Sequence, residues 1–362
     1  MEDYRDGKGE TMENILSYRE RYHLEERPVG GKSDGDFDQN IESRLLELGK
    51  KTKLLVPGGA GYLGSVLVEM LVQRGFDVTV IDNLDYAQNT LFNLFHYKNM
   101  KFIYGDVTNY EFMKNHLIRN KYDYILPLAA VVGFPVSEHK PEVTWLVNHE
   151  AIKTILKFRG GARIIFPTTN SGYGSTDGKS ECTEDSPLNP ITPYGKSKVA
   201  AEQEVAKDGD YVCFRLATLF GFSPRMRTDL LVNDFTHKAV NEKAIILFER
   251  TFKRNFLHVR DAARGFLWAI ANWETVKNRT YNLGHPEYNL TKDELCQMIK
   301  KRVPALNIFY AEIGSDPDKR NYIVSNERIL STGFRFNYSL EDGIDELVRG
   351  FEAFRDSRFK NF

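Results

Sequence analysis

The sequence predicts an α/β fold: a doubly wound parallel sheet with a smaller C-terminal lobe. Three observations predict it. Short apolar runs alternate with amphipathic stretches from Lys53 to Arg215, the pattern of a parallel sheet covered on both faces. A glycine cluster, Gly58-Gly-Ala-Gly61-Tyr-Leu-Gly64, falls between the first run and the first helix. Beyond about Gly221 the alternation weakens and the loops lengthen, as expected of a lobe built beside the carboxyl edge of the sheet.

The elements follow in order. Residues 1–50 read as an N-terminal extension, partly helical or disordered. Within it, Thr11 to Glu26 predicts a charged helix with Ile15, Leu16, Tyr18 and Tyr22 as apolar positions. Pro28 to Asn40 reads as a Gly- and Asp-rich linker, and Ile41 to Lys50 as a second short helix. Residues 51–220 read as the sheet domain that carries the glycine cluster. Its strands are Leu54-Leu-Val56, Val78 to Asp82, Lys101 to Tyr104, Tyr124 to Leu128, Arg163 to Phe166 and Tyr211 to Arg215. Its helices are Ser65 to Arg74, a long one from Glu142 to Phe158, and one carrying Tyr194 and Lys198. Residues 221–362 form the second lobe.

Composition narrows the partners. A chain of 362 residues suits about two domains. Its formal net charge of −1 argues against nucleic acid. Cys182, Cys213 and Cys296 lie far apart without metal-ligand spacing, which predicts a reducing compartment, the cytoplasm, and no metal site. No apolar run approaches membrane-spanning length, so no membrane partner is expected.

The glycine cluster lies where a strand turns into a helix, the setting in which glycines let the backbone approach a pyrophosphate at the helix N-terminus. Gly58, Gly61, Tyr62, Leu63 and Gly64 are its candidate contacts. Asp82, ending the second strand 18 residues past Gly64, is placed for ribose hydroxyls, with Asn83 beside it. A carboxylate there repels a 2′-phosphate, so a Rossmann-type site for NAD rather than NADP is expected. Tyr194 and Lys198 stand one helical turn apart and share a face. A neighbouring ammonium predicts a lowered phenol pKa, suiting Tyr194 to take a proton from a sugar hydroxyl. Thr169 follows a strand, at the carboxyl edge where open sheets place ligands.

With this spacing of glycines and YxxxK downstream, the chain from Lys53 to Phe362 resembles the extended short-chain dehydrogenase/reductases, the NAD-dependent epimerases and dehydratases. The resemblance implies that Gly105-Asp106-Val107 contacts adenine and that Leu128-Ala129-Ala130 lines the cofactor cleft. It makes Asn148 a structural asparagine and Thr169, Tyr194 and Lys198 the catalytic set. Pro57 and Pro127 depart from the family, which commonly has Thr and His there. It further implies substrate contacts at Thr218 (where Asn is usual), Arg225, Arg227 and Asn233, with Arg254 and Arg320 on a diphosphate. Dehydratases of the family carry Asp-Glu directly after the catalytic Thr; here Asn170-Ser171 stand there as substrate contacts.

The implied activity is oxidation at C4 of a nucleotide-diphosphate sugar, GDP- or UDP-linked, by a 4-dehydrogenase or 4-epimerase acting as a homodimer. A 4,6-dehydratase recruiting acids from elsewhere and a non-catalytic NAD-binding scaffold are the alternatives. More narrowly, Thr169 to Gly174, Cys182-Thr-Glu, Ser186-Pro-Leu, Phe214 to Arg227, Leu230 to Phe235, Asp316-Pro-Asp-Lys-Arg320 and Val324-Ser-Asn326 resemble bacterial GDP-D-glycero-α-D-manno-heptose C4-dehydrogenases.

Overall fold

A computed structural model describes residues 37–311 and 320–354. The expected helix over 11–26, most of the linker after it, and Asp316 to Lys319 lie outside the described residues. Helix α1 (Gln39–Gly49) is capped by Asp38, whose carboxylate accepts from Ile41 N at 3.0 Å. Rather than belonging to a separate arm, α1 is docked on the main body. Ile41 and Leu45 are buried, Arg74 pairs with Glu42 at 2.9 Å, and Arg44 donates to the Ala271 carbonyl at 3.1 Å.

Strands β1 (Lys53–Pro57), β2 (Asp77–Asp82), β3 (Met100–Tyr104), β4 (Tyr124–Ile125) and β5 (Arg163–Thr169) follow. They alternate with helices α2 (Tyr62–Gln73), α3 (Tyr110–Arg119), α4 (Pro141–Trp145) and α5 (Ala151–Phe158). Next come β6 (Glu181–Cys182), α6 (Pro193–Asp208), β7 (Tyr211–Leu216) and β8 (Thr218–Phe220). Further along are α7 (Leu231–Asn241), β9 (Ala244–Leu247), β10 (Lys253–His258), α8 (Val259–Ala271) and β11 (Arg279–Leu283). The chain closes with β12 (Asn289–Thr291), α9 (Lys292–Arg302), β13 (Asn307–Tyr310), β14 (Ile323–Val324) and α10 (Leu340–Ala353).

Seven parallel strands form the central sheet in the order β11-β7-β5-β4-β1-β2-β3, the predicted doubly wound architecture. Strand order reverses between β1 and β4, so a crevice opens outside their carboxyl ends. The core is apolar: Leu55, Ile81, Ile125, Ile164 and Phe166 of β1, β2, β4 and β5 are fully buried.

Three details differ from the sequence reading. The fourth strand is short, Tyr124–Ile125; Leu126 N and Leu128 N still donate to the Leu55 and Pro57 carbonyls of β1 at 2.8 Å, while Pro127 has no N–H to offer on the β5 side. The long helix is broken by a π turn over Leu146–Glu150. The second half of the chain is not confined to the lobe, since α8 packs on α2 and β11 pairs with β7 along the sheet edge. Only Arg260 of α8 escapes burial, so that helix is a core element of the sheet layer. The lobe consists of the sheet β12-β10-β8, the pairs β13-β9 and β14-β6, and helices α7, α9 and α10.

Candidate active site

The three motif glycines have separate physical reasons. Gly58 has φ +79°, and a Cβ there would meet Ala129 N at 2.3 Å, so the turn itself demands glycine. A Cβ on Gly64 would meet the Gly58 carbonyl at 2.6 Å, so helix α2 can approach the turn only without one. Gly61 differs. Its Cβ would meet nothing nearer than the Gly58 carbonyl at 3.2 Å, and it lines the cleft as the N-cap of α2 with no side-chain cap. A side chain at Gly61 would fill ligand space, which is the signature of a dinucleotide cradle.

Asp82 organises that cradle. One carboxylate oxygen accepts from Ala60 N at 3.0 Å; the other accepts from Leu84 N at 2.9 Å and Gln88 Nε2 at 3.3 Å. Burial raises its pKa. Asn83 and Asp106 cap their own turns, accepting from Asp85 N and Thr108 N respectively. Leu128 and Ala130 line the cleft, while Ala129 donates to the Pro57 carbonyl at 2.8 Å. Asp82, Asn83, Asp106, Val107 and Ala129 are not among the residues lining the central cleft.

Thr169 ends β5 and Tyr194 opens α6, and both face the same cleft as Lys198 and Ser171. Helix α6 starts there because Thr192 accepts from Gly195 N at 3.1 Å and Pro193 fills its first position. It is tied to β7 by a buried ion pair, Arg215 to Glu202 at 2.7 Å. Thr169 Oγ1 donates to Ser171 Oγ at 3.0 Å and accepts from Ser171 N at 3.1 Å.

The electrostatics correct one expectation. Tyr194 is raised rather than lowered: burial dominates, opposed by a hydrogen bond with Thr169 and by the positive fields of Arg227 and Arg320. Lys198 lies over the Phe166 ring at 4.0 Å, and its burial brings it down to about 7. The cations acting on the phenol therefore include two arginines of the second lobe.

The proposed substrate residues divide. Ser171, Thr218, Arg225, Arg227 and Arg320 line the cleft. Arg227 is held by Asp229, with Nε to Oδ1 at 3.1 Å, and Arg320 donates to Ser171 Oγ. Asn233 does not line the cleft: its amide is occupied by Gly221 N, Tyr62 Oη and the Arg227 carbonyl. It positions the site. Arg254 sits behind the cleft wall, 5.6 Å from the Tyr322 ring. Asn170 is 1% exposed with both amide atoms unpartnered, away from the cleft lining. Sequence reasoning missed Tyr86, Gly133 and Tyr322, which line the cleft. Their signals were slight: Tyr86 is four residues past Asp82, and Tyr322 two past Arg320.

Fold and cleft define a nicotinamide-dinucleotide enzyme of the α/β class. The chain belongs to the NAD-dependent epimerase/dehydratase family, whose model matches residues 54–284. The UDP-glucose 4-epimerase of Lactobacillus helveticus is 29% identical over 296 residues, covering 74% of this chain and 87% of that protein. The dTDP-D-glucose 4,6-dehydratase of Mus musculus is 27% identical over 316 residues, covering 82% of this chain and 87% of that one. The structure of a Thermotoga maritima UDP-glucose 4-epimerase with UDP-glucose superposes with a TM-score of 0.74 at 24% identity, covering 84% of this chain and 100% of that chain.

Proposed function

We propose that this chain oxidises C4 of a nucleotide-diphosphate sugar with NAD, as a 4-dehydrogenase or a 4-epimerase. One observation carries the reading: Tyr194, Lys198 and Thr169 meet in a cleft that no carboxylate lines among the described residues. Losing water from a hexose requires an acid for the leaving hydroxyl and a base for the adjacent carbon. Asn170 and Ser171 supply neither, which disfavours a 4,6-dehydratase. NAD held over the turn of Gly58, Gly61 and Gly64 would supply the hydride acceptor for C4. Thr169 holds the O4 hydroxyl, and Tyr194 takes its proton, its phenolate favoured by Arg227 and Arg320. Arg225, Arg227 and Arg320 supply the charge for the diphosphate. Sequence resemblance favours a GDP-linked heptose, with a UDP-linked hexose as the competing substrate.

A homodimer in the cytoplasm completes the proposal. Val143, Trp145 and Leu146 expose an apolar face beside α6, and the three cysteines are free and buried. Light scattering tests the dimer. Tyr194→Phe should bind NAD normally and lose turnover by about 10²–10⁴-fold; retained turnover would overturn the assignment. Product mass separates the outcomes, since epimerisation leaves it unchanged, oxidation removes two hydrogens and dehydration removes a water.

A further inference from the structure

The loop after β2 is built around Asp82 and reaches the second lobe. Leu84 and Ala87 adopt φ of 54° and 49°, a left-handed conformation that side chains disfavour and that clusters at functional sites. Leu84 N and Gln88 Nε2 both donate to Asp82, and Tyr86 N donates to Gln88 Oε1 at 3.0 Å. The strained turn thus aims the Tyr86 ring at Arg225, whose guanidinium carbon lies 4.5 Å from the ring centroid. Arg225 is 8% exposed and donates to the Met226 carbonyl at 2.6 Å. Tyr86 is 41% exposed, so its burial contributes little to folding. Both residues line the cleft, one from each half of the molecule.

We propose that Tyr86 and Arg225 form a clasp that retains the dinucleotide through turnover, with Tyr86 as a positioning residue. The ring covers one face of a desolvated cation and bridges the cofactor half to the substrate half. Releasing the dinucleotide would require parting that contact. A retained cofactor suits a 4-epimerase, because the hydride taken from C4 must return to the same sugar. The inference rests on NAD binding and not on the site of oxidation.

The test follows release of NADH from the preloaded full-length protein, chased with excess NAD and read by the fluorescence of the bound reduced cofactor. Tyr86→Ala should release it about tenfold faster, the worth of a desolvated cation–π contact, with the melting temperature lowered by no more than a few degrees. Tyr86→Phe keeps the aromatic face and should stay within about twofold of the parent. Arg225→Met should match Tyr86→Ala; because Arg225 is buried, Tyr86→Ala carries the decision. Parental release from Tyr86→Ala overturns the clasp, as does a Tyr86→Phe variant that releases equally fast. Turnover of a sugar nucleotide is not read here, so failure at C4 and failure of the clasp are separable.

Discussion

Lys198 is 3% exposed above the Phe166 ring, and taking an ammonium out of water costs more than the ring returns. In the unfolded chain its pKa is about 10.4, against about 7 in the folded protein. Between those values the unfolded chain holds a proton that the folded chain has released, so stability rises with pH across that window. Below it the penalty is present in full. Lys198→Met should therefore raise the melting temperature near neutral pH by a few degrees, about 2–4 °C per kcal/mol relieved, while turnover falls. That gain should shrink as pH climbs through the window. Melts across it check the sign, and a gain independent of pH would sink the account.

At the scale of an element, the π turn over Leu146–Glu150 shows what a local irregularity can accomplish. It brings Asn148 inward, where its carbonyl accepts from Val131 N at 2.8 Å and its amide donates to the Val131 carbonyl at 2.9 Å and to Ser197 Oγ at 3.1 Å. One side chain thereby fastens the loop beyond Ala130 to helix α6, which carries Tyr194 and Lys198. Asn148→Ala leaves the Val131 amide and carbonyl without these partners, and should cost about 2–4 kcal/mol in urea unfolding. NAD affinity should fall with it. Unchanged affinity would mean that the turn serves stability alone.

Across the whole molecule, the Tyr62 phenol is one of the links that join the two halves. Tyr62, on the cofactor helix α2, donates to the Gly221 carbonyl at 2.6 Å and accepts from Asn233 Nδ2 at 3.2 Å. Burial raises its pKa far above its ordinary range, keeping it a donor. Tyr62→Phe should cost about 1–2 kcal/mol and weaken NAD and sugar-nucleotide binding together. Calorimetry with each ligand measures this, and a stability loss with both affinities intact would refute the coupling. Much of the site was readable from the sequence because its logic is local. The glycine spacing, Asp82 at a strand end and the turn between Tyr194 and Lys198 each depend on residues a few positions apart. Asn233, expected as a substrate contact, bonds instead to Gly221 and to Tyr62, a pairing across 171 positions that no local pattern announces.

By itself the sequence determined the parallel sheet, the glycine turn and the helix face shared by Tyr194 and Lys198, since alternation, glycine spacing and helical periodicity are short-range properties of the chain. Tertiary structure alone decided that β11 closes the sheet, that Arg227 is held by Asp229 near Tyr194, and that Lys198 titrates near neutrality. The strand pairing, the approach of Arg227 to Tyr194 and the burial of Lys198 bring together positions distant in the chain, and desolvation has no counterpart in a linear pattern.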